Sequence, residues 1–230
     1  MSLIIGVYIP TGIILSGDSR TTGTIPNQIP NPQNAQQTLT VHTNIVVSDS
    51  TSKIFKMYDR FGIATFGSSH INNLPIAHFI EQFEAQNPPP ATTNDLANAL
   101  LAYFRTFTPI PATGFLVARY DNNDQYIYGV DVTNNTSTRH NFTTQQIFSV
   151  AWGGDSDIVG RLLDNPTSMP IFEFMNLQDA IDFSRHLIRT SIDQMRFEPR
   201  FPTVGGSIDT LVIRNGSTDF IDVKKLRLTN

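Results

Sequence analysis

The chain of 230 residues contains no cysteine. That excludes disulfides, thiolate metal sites and a cysteine nucleophile, and it fits a cytoplasmic protein. Charge is also scarce: 16% of residues are Asp, Glu, Lys or Arg, and the net charge is −4. No basic block is large enough to make nucleic-acid binding the main task. The nearest, Lys224-Lys225-Leu226-Arg227, reads as the solvated face of a last strand. No hydrophobic run approaches the ~18–20 apolar residues of a spanning helix, and no basic segment precedes the apolar start, so neither membrane insertion nor secretion is expected. The single tryptophan, Trp152, is expected in the core, and the five histidines lack ligand spacing, so neither metal nor cofactor is expected.

What is present suits one domain over 1–230, with 40% hydrophobic residues and a mean hydropathy of −0.14. Ser2–Ile9 and Gly12–Ser19 read as two strands turned at Pro10-Thr11. Thr21 to about Gln37 is rich in Pro, Asn and Gln without an apolar period and reads as a long loop, part of an insertion at about 21–52. Thr38–Val47 alternates as a strand pair or β-arm, and Lys53–Tyr58 with Phe61–Phe66 make a hairpin.

After Gly67 the period lengthens to 3.6. Ile71, Leu74, Ala77, Phe79, Ile80 and Phe83 predict a helix over about Ser69–Gln86, and Thr93 is expected to cap a second helix. Four strands follow at Gly114–Tyr120, Gln125–Asp131, Thr138–Phe142 and Ile147–Ala151. Helices are then expected near Asp157–Leu163, capped by Asp155 and Asp157, and over Asn176–Met195. Ser207–Arg214 and Thr218–Leu228 form a closing hairpin turned at Asn215-Gly216. Two helix pairs among three strand blocks predict an α+β fold: a four-layer αββα sandwich of two antiparallel sheets.

The chemistry-bearing residues fall early. With Met1 removed, Ser2 carries a hydroxyl and a free α-amine, whose ordinary pKa of about 7.7–8.0 leaves a neutral fraction near physiological pH. One residue then supplies nucleophile and general base. Asp18 and Arg20 end the second strand, Lys53 opens a later one, and Gly67 closes the next before a helix. A Lys53 cation held by Asp18 would favour the Ser2 alkoxide and keep the amine neutral, and the Gly67 N–H could donate to an oxyanion.

Ser2, Gly12…Asp18-Ser19-Arg20, Lys53, Gly67 and the later Gly205-Gly206 occur in the order and spacing of a known pattern. The chain resembles the β-type subunits of the proteasome superfamily of N-terminal nucleophile hydrolases, which includes proteasome β subunits, the HslV peptidase and the Anbu family. The resemblance implies a self-compartmentalising peptidase with Ser2, Asp18, Lys53 and Gly67 at its site, acting on peptide or unfolded protein. It also implies a homo-oligomeric ring or helical stack, with an unfoldase as a possible partner. Thr21, Thr51, Phe55, Thr65 and Ser69 then correspond to the lining of the primary specificity pocket. The chain departs from the pattern in having Ser for the usual Thr and a longer segment between Arg20 and Lys53. It also has Pro202-Thr203-Val204 before Gly205, where relatives carry an Asp and a Ser; the nearest Asp is Asp193. A catalytically inert ring or scaffold subunit, or a hydrolase of small amides, is the alternative.

Overall fold

The computed structural model describes residues 2–165 and 169–224. In chain order the strands are β1 (Leu3–Ile9), β2 (Gly12–Gly17), β3 (Thr21–Asn31), β4 (Asn34–Ser48), β5 (Ile54–Met57), β6 (Phe61–Gly67), β7 (His70–Ile71), β8 (Leu74–Pro75), β9 (Thr113–Asp121), β10 (Asp124–Asp131), β11 (Thr136–Arg139), β12 (Ser149–Gly154), β13 (Asp209–Arg214) and β14 (Ser217–Asp222). The helices are α1 (Ile76–Gln86), α2 (Thr93–Phe104), α3 (Asp157–Leu163) and α4 (Leu177–Met195), with a 3-10 turn at Phe172–Phe174.

Two five-stranded sheets carry the fold, ordered β12-β1-β2-β13-β14 and β11-β10-β9-β6-β5, and every pairing within them is antiparallel. Alternate residues of β1 explain why the whole strand is apolar. Leu3, Ile5, Val7 and Ile9 face a core shared with α4 residues such as Ile181, Leu187 and Ile188, whereas Ile4 and Tyr8 join a second core with Ala64, Leu116 and Ile127 of the other sheet. A third core sets Phe61, Ile63, Phe115 and Val117 against Phe79, Phe83, Leu96 and Phe104 of α1 and α2. Both faces of the central strands are thus out of water, and the protein is an α+β fold of antiparallel sheets with four helices packed on them.

The helices are set by their caps. The α2 cap is Thr92, one residue before the expected Thr93: its side chain accepts from Asp95 N while the Asp95 carboxylate accepts from Thr92 N. Asn176 and Asp179 make the same reciprocal cap on α4. The first helix begins at Ile76, later than the apolar period suggests, because Ile71 and Leu74 lie in the small β7–β8 hairpin, turned through Asn72 and Asn73 at positive φ.

The expected loop after Thr21 is instead a long two-stranded arm of β3 and β4, in continuous register from Thr22↔Val46 to Pro30↔Thr38 with a register shift at each end. Its composition hid it: the arm leaves the core, so no buried face imposes an apolar period, and Pro26 and Pro30 are tolerated because β3 has a free edge. Its two faces nevertheless differ. Opposed pairs Gly23–Ile45, Ile25–Thr43, Asn27–Val41 and Ile29–Leu39 fall on one face, and Thr24–Asn44, Pro26–His42, Gln28–Thr40 and Pro30–Thr38 on the other. Ile25, Ile29, Leu39 and Val41 are each exposed by more than 40%. From Thr21 to Ser48 there is no Asp, Glu, Lys or Arg.

Trp152 is not a core residue. It stands on the edge strand β12 and is 38% exposed. The C-terminal hairpin forms over Asp209–Arg214 and Ser217–Asp222, but its second strand stops short of the expected Leu228, with Val223 and Lys224 in no strand; Lys224 is not solvated as a strand face would be, since its ammonium pairs with the buried Asp209. Residues 225–230, including the remainder of the basic tetrapeptide and the end of the expected last strand, lie outside the described residues. No described helix is long and apolar enough to cross a membrane.

Candidate active site

The site forms where β1 begins and β2 and β6 end. Ser2 is buried, and its carbonyl accepts from the Asp155 N–H at 2.7 Å. Gly154, at φ +98°, makes that approach possible: a Cβ there would sit 1.7 Å from the Ser2 carbonyl oxygen. Antiparallel pairing of β1 with β2 brings Asp18 back beside Leu3, and the two are joined by Asp18 N→Leu3 O at 3.2 Å and Leu3 N→Asp18 Oδ1 at 2.9 Å.

Asp18 is the hub. Its side chain is fully buried and accepts from four donors. Oδ1 takes Leu3 N and the Lys53 ammonium, the latter at 2.5 Å; Oδ2 takes Gly205 N at 2.9 Å and Arg20 N at 3.1 Å. Lys53 also donates to the Arg20 carbonyl at 2.7 Å. One carboxylate therefore fixes the strand that follows Ser2, the lysine, and the turn into the last hairpin. Burial pulls the Lys53 pKa below the ordinary lysine value, and Asp18 opposes that shift through its charge and hydrogen bond.

Gly67 closes β6 opposite Thr113 at φ +92°, where a Cβ would meet the Ala112 carbonyl oxygen at 2.2 Å. Strand alternation gives the direction of its N–H. Thr65 N donates to Lys53 O and Ser68 N to Ala112 O, so the N–H of Gly67 points to the same edge as that of Thr65, beyond the end of β5. That edge borders a small cleft of about 10 Å³ whose lining includes Ser2, Thr51, Lys53, Thr65, Gly67 and Ser69. The four residues singled out in the sequence are thus together: three line the cleft, and Asp18 stands directly behind Lys53.

Other expectations are corrected. The Arg20 guanidinium binds Asp49 at 2.7 and 2.9 Å, and its backbone N–H reaches Asp18. The bond to Asp49 raises the Arg20 pKa, and the same bond lowers that of Asp49. Of the five expected pocket residues, Thr51, Thr65 and Ser69 line the cleft, and Thr21 hydrogen-bonds Thr51 at 2.7 Å. Phe55 turns the other way, onto the core with α1 and α2, because its neighbour Ile54 takes the inter-sheet side. Ile76 lines the cleft as well.

Asp155 is not a helix cap, since α3 starts after Ser156 with no side-chain cap. The Asp155 carboxylate is buried, accepts a bidentate contact from Arg200 at 3.0 Å and a hydrogen bond from the Thr203 hydroxyl. It thereby ties the segment leading to Gly205 to the end of β12 beside Ser2. Nothing local in the sequence announces this pairing, whose members lie 45 and 48 residues apart. Asp193 is exposed at the end of α4, so it gives the Ser2 region no buried carboxylate. Ser19 is anchored to Ser207 O at 2.7 Å. Among the described residues no cluster of His, Asp or Glu could hold a metal ion.

Comparison of the chain with known protein families and with curated proteins gives no match.

Proposed function

We propose that the protein is an N-terminal nucleophile hydrolase of the proteasome β type, cleaving amide bonds with Ser2 after removal of Met1. The observation that carries the reading is the buried Lys53–Asp18 pair, locked to the strand that Ser2 opens and lining one cleft with Ser2 and Gly67. The sequence of helix pair, sheet, sheet and helix pair given by the three cores supports assignment to the four-layer αββα sandwich of that superfamily.

In this mechanism Ser2 Oγ attacks the carbonyl carbon while the Ser2 amine takes the hydroxyl proton. The oxyanion accepts from the Gly67 N–H. The protonated amine then gives its proton to the leaving nitrogen as the C–N bond breaks, leaving an acyl ester on Ser2. Water, deprotonated by the amine, hydrolyses that ester. Lys53 supplies positive charge beside the hydroxyl, and Asp18 holds it there. Apart from Lys53, which Asp18 holds, the cleft lining of Thr51, Ser52, Thr65, Ser68 and Ser69 carries no charge, which favours peptide side chains without charge.

The reading includes assembly of several cytoplasmic copies into a ring or stack. The β3–β4 arm supports it, because a two-stranded ribbon is marginal alone in water and this one leaves an uncharged aliphatic face uncovered. The inert-subunit alternative draws on one observation, the exposed position of Asp193, which leaves the amine without the carboxylate that relatives place before the Gly-Gly pair. Turnover of fluorogenic peptides by protein lacking Met1 separates the two. The hydrolase reading expects activity that Lys53→Ala lowers by about 10²–10³. Equal activity in both forms refutes the site, and none in either favours the inert subunit.

A further inference from the structure

A second cleft lies at the other end of β6. That strand runs from Phe61 to Gly67, about 20 Å at roughly 3.3 Å per residue, and Arg60 precedes it. The cleft has a volume of about 250 Å³ and is lined by Asp59, Arg60, Arg119, Arg214, Asn215 and Thr218 among others.

It is built by three turns rather than by one mobile loop. The turn through Tyr58 and Asp59, both at positive φ, delivers Arg60 from one sheet. The Asn215-Gly216 turn delivers Arg214 from the other sheet. Thr218 Oγ1 donates to Arg60 O at 3.0 Å, and Asn215 Nδ2 donates at 2.9 Å to Asn123 Oδ1 in the third turn, which joins β9 to β10 through Asn122 and Asn123, so the three turns are cross-braced. Arg119 rises between them from β9, its side chain 17% exposed.

The positive charge here exceeds what the protein neutralises. Arg60 and Arg119 both lie over the Phe61 ring, with guanidinium carbons 5.4 and 4.7 Å from its centroid. Arg60 donates through Nη2 to Pro90 O, and Arg119 through Nη1 to Ala91 O, leaving other N–H groups of each guanidinium uncommitted. Asp121 pairs with Arg119 at 3.4 Å but also accepts from Thr93 N, and Asp59 pairs with Lys56. The Arg214 side chain has no ionic or hydrogen-bond partner among the described residues. Burial, followed by repulsion from Arg60, pushes the Arg119 guanidinium below its ordinary pKa, with Asp121 acting against both. Among the described residues, three arginines line a cleft whose one lining carboxylate, Asp59, pairs with Lys56, and Asp121 pairs with Arg119 alone, which leaves a place for a bound anion.

We infer that this cleft is an oxyanion-binding site, taking a phosphoryl group or a compact polycarboxylate between Arg60, Arg119 and Arg214. Planar guanidinium forks match either chemistry. The site involves neither Ser2 nor Lys53, so it stands or falls independently of the hydrolase reading.

Isothermal titration of the whole chain with inorganic phosphate, and separately with citrate, tests it at low ionic strength. Saturable one-site binding of at least one anion is expected, weakened about tenfold or more by Arg214→Gln and weakened by added salt. Phosphate alone assigns a phosphoryl ligand, citrate alone a polycarboxylate, and both the broader class. Arg214 is exposed and its side chain has no ionic or hydrogen-bond partner among the described residues, so its replacement is expected to leave the fold intact; Arg60→Gln is the second variant. Absence of saturable binding, or binding unchanged in both variants, overturns the inference.

Discussion

Replacing Asp18 by Asn removes one charge and changes no volume, yet it should be among the most damaging single substitutions in the chain. Both carboxylate oxygens accept two donors: Leu3 N and Lys53 on Oδ1, Arg20 N and Gly205 N on Oδ2. An amide has one oxygen, so in either orientation its NH₂ faces two donors that have lost their acceptor. Lys53, whose side chain is 5% exposed, loses the one carboxylate within ion-pair distance among the described residues. Removing one partner of such a buried pair costs about 3–5 kcal/mol. For a chain of this size each kcal/mol lowers Tm by about 2–4 °C, so a fall of about 6–20 °C is expected. Thermal unfolding followed by circular dichroism measures it, with Asp49→Asn as the control. That residue's pair with Arg20 is 45% exposed on the aspartate side and is worth about 0–1 kcal/mol. If Asp18→Asn costs no more than Asp49→Asn, the carboxylate is not the hub of the site.

Two further outcomes follow from the same structure. The folded-state pKa of Lys53 lies below its unfolded value, so the stability linked to this group is fully present above the unfolded pKa of about 10.4 and is lost as pH falls through the folded value. Urea unfolding should accordingly show the unmodified protein gaining on Lys53→Met as pH rises toward about 10; a constant difference across that range contradicts the burial argument. On the arm, joint Ile29→Lys and Leu39→Lys substitution places two charges on the aliphatic face, whereas Gln28→Lys and Thr40→Lys place them on the polar one. Light scattering should show a lower assembled mass for the first pair alone; equal masses remove the arm from the assembly.

The parts of the fold that were legible in the sequence are those where burial imposes a period. The strands β1 and β2 and the α4 helix fall within a residue or two of their expected bounds, and the Asn215-Gly216 turn falls where expected, because each is pinned by a core face or a turn residue. Of the β3–β4 arm, Thr38–Val47 was legible as β-structure, whereas β3 was not, because its pairing, not a core, orders its residues: the aliphatic side chains align only once Ile29 is set opposite Leu39. Trp152 misled for a related reason. Bulk and apolarity suggest the core, but an edge strand leaves one flank open. At the site, Ser2, Asp18, Lys53 and Gly67 could be found because each sits at a strand end, where local pattern marks it. The Asp155–Arg200–Thr203 cluster joins segments distant in the chain through ordinary surface-type residues, and only the fold brings them together.

The central claim is that Ser2 becomes a nucleophile once its amine is free, and intact mass measurement with a hydroxyl-directed covalent probe tests it most directly. The account predicts natively expressed protein lacking Met1, one adduct per chain, peptide mapping of that adduct to Ser2, and no adduct in Lys53→Ala. Protein that retains Met1, or that lacks it and takes no adduct at Ser2, contradicts the claim.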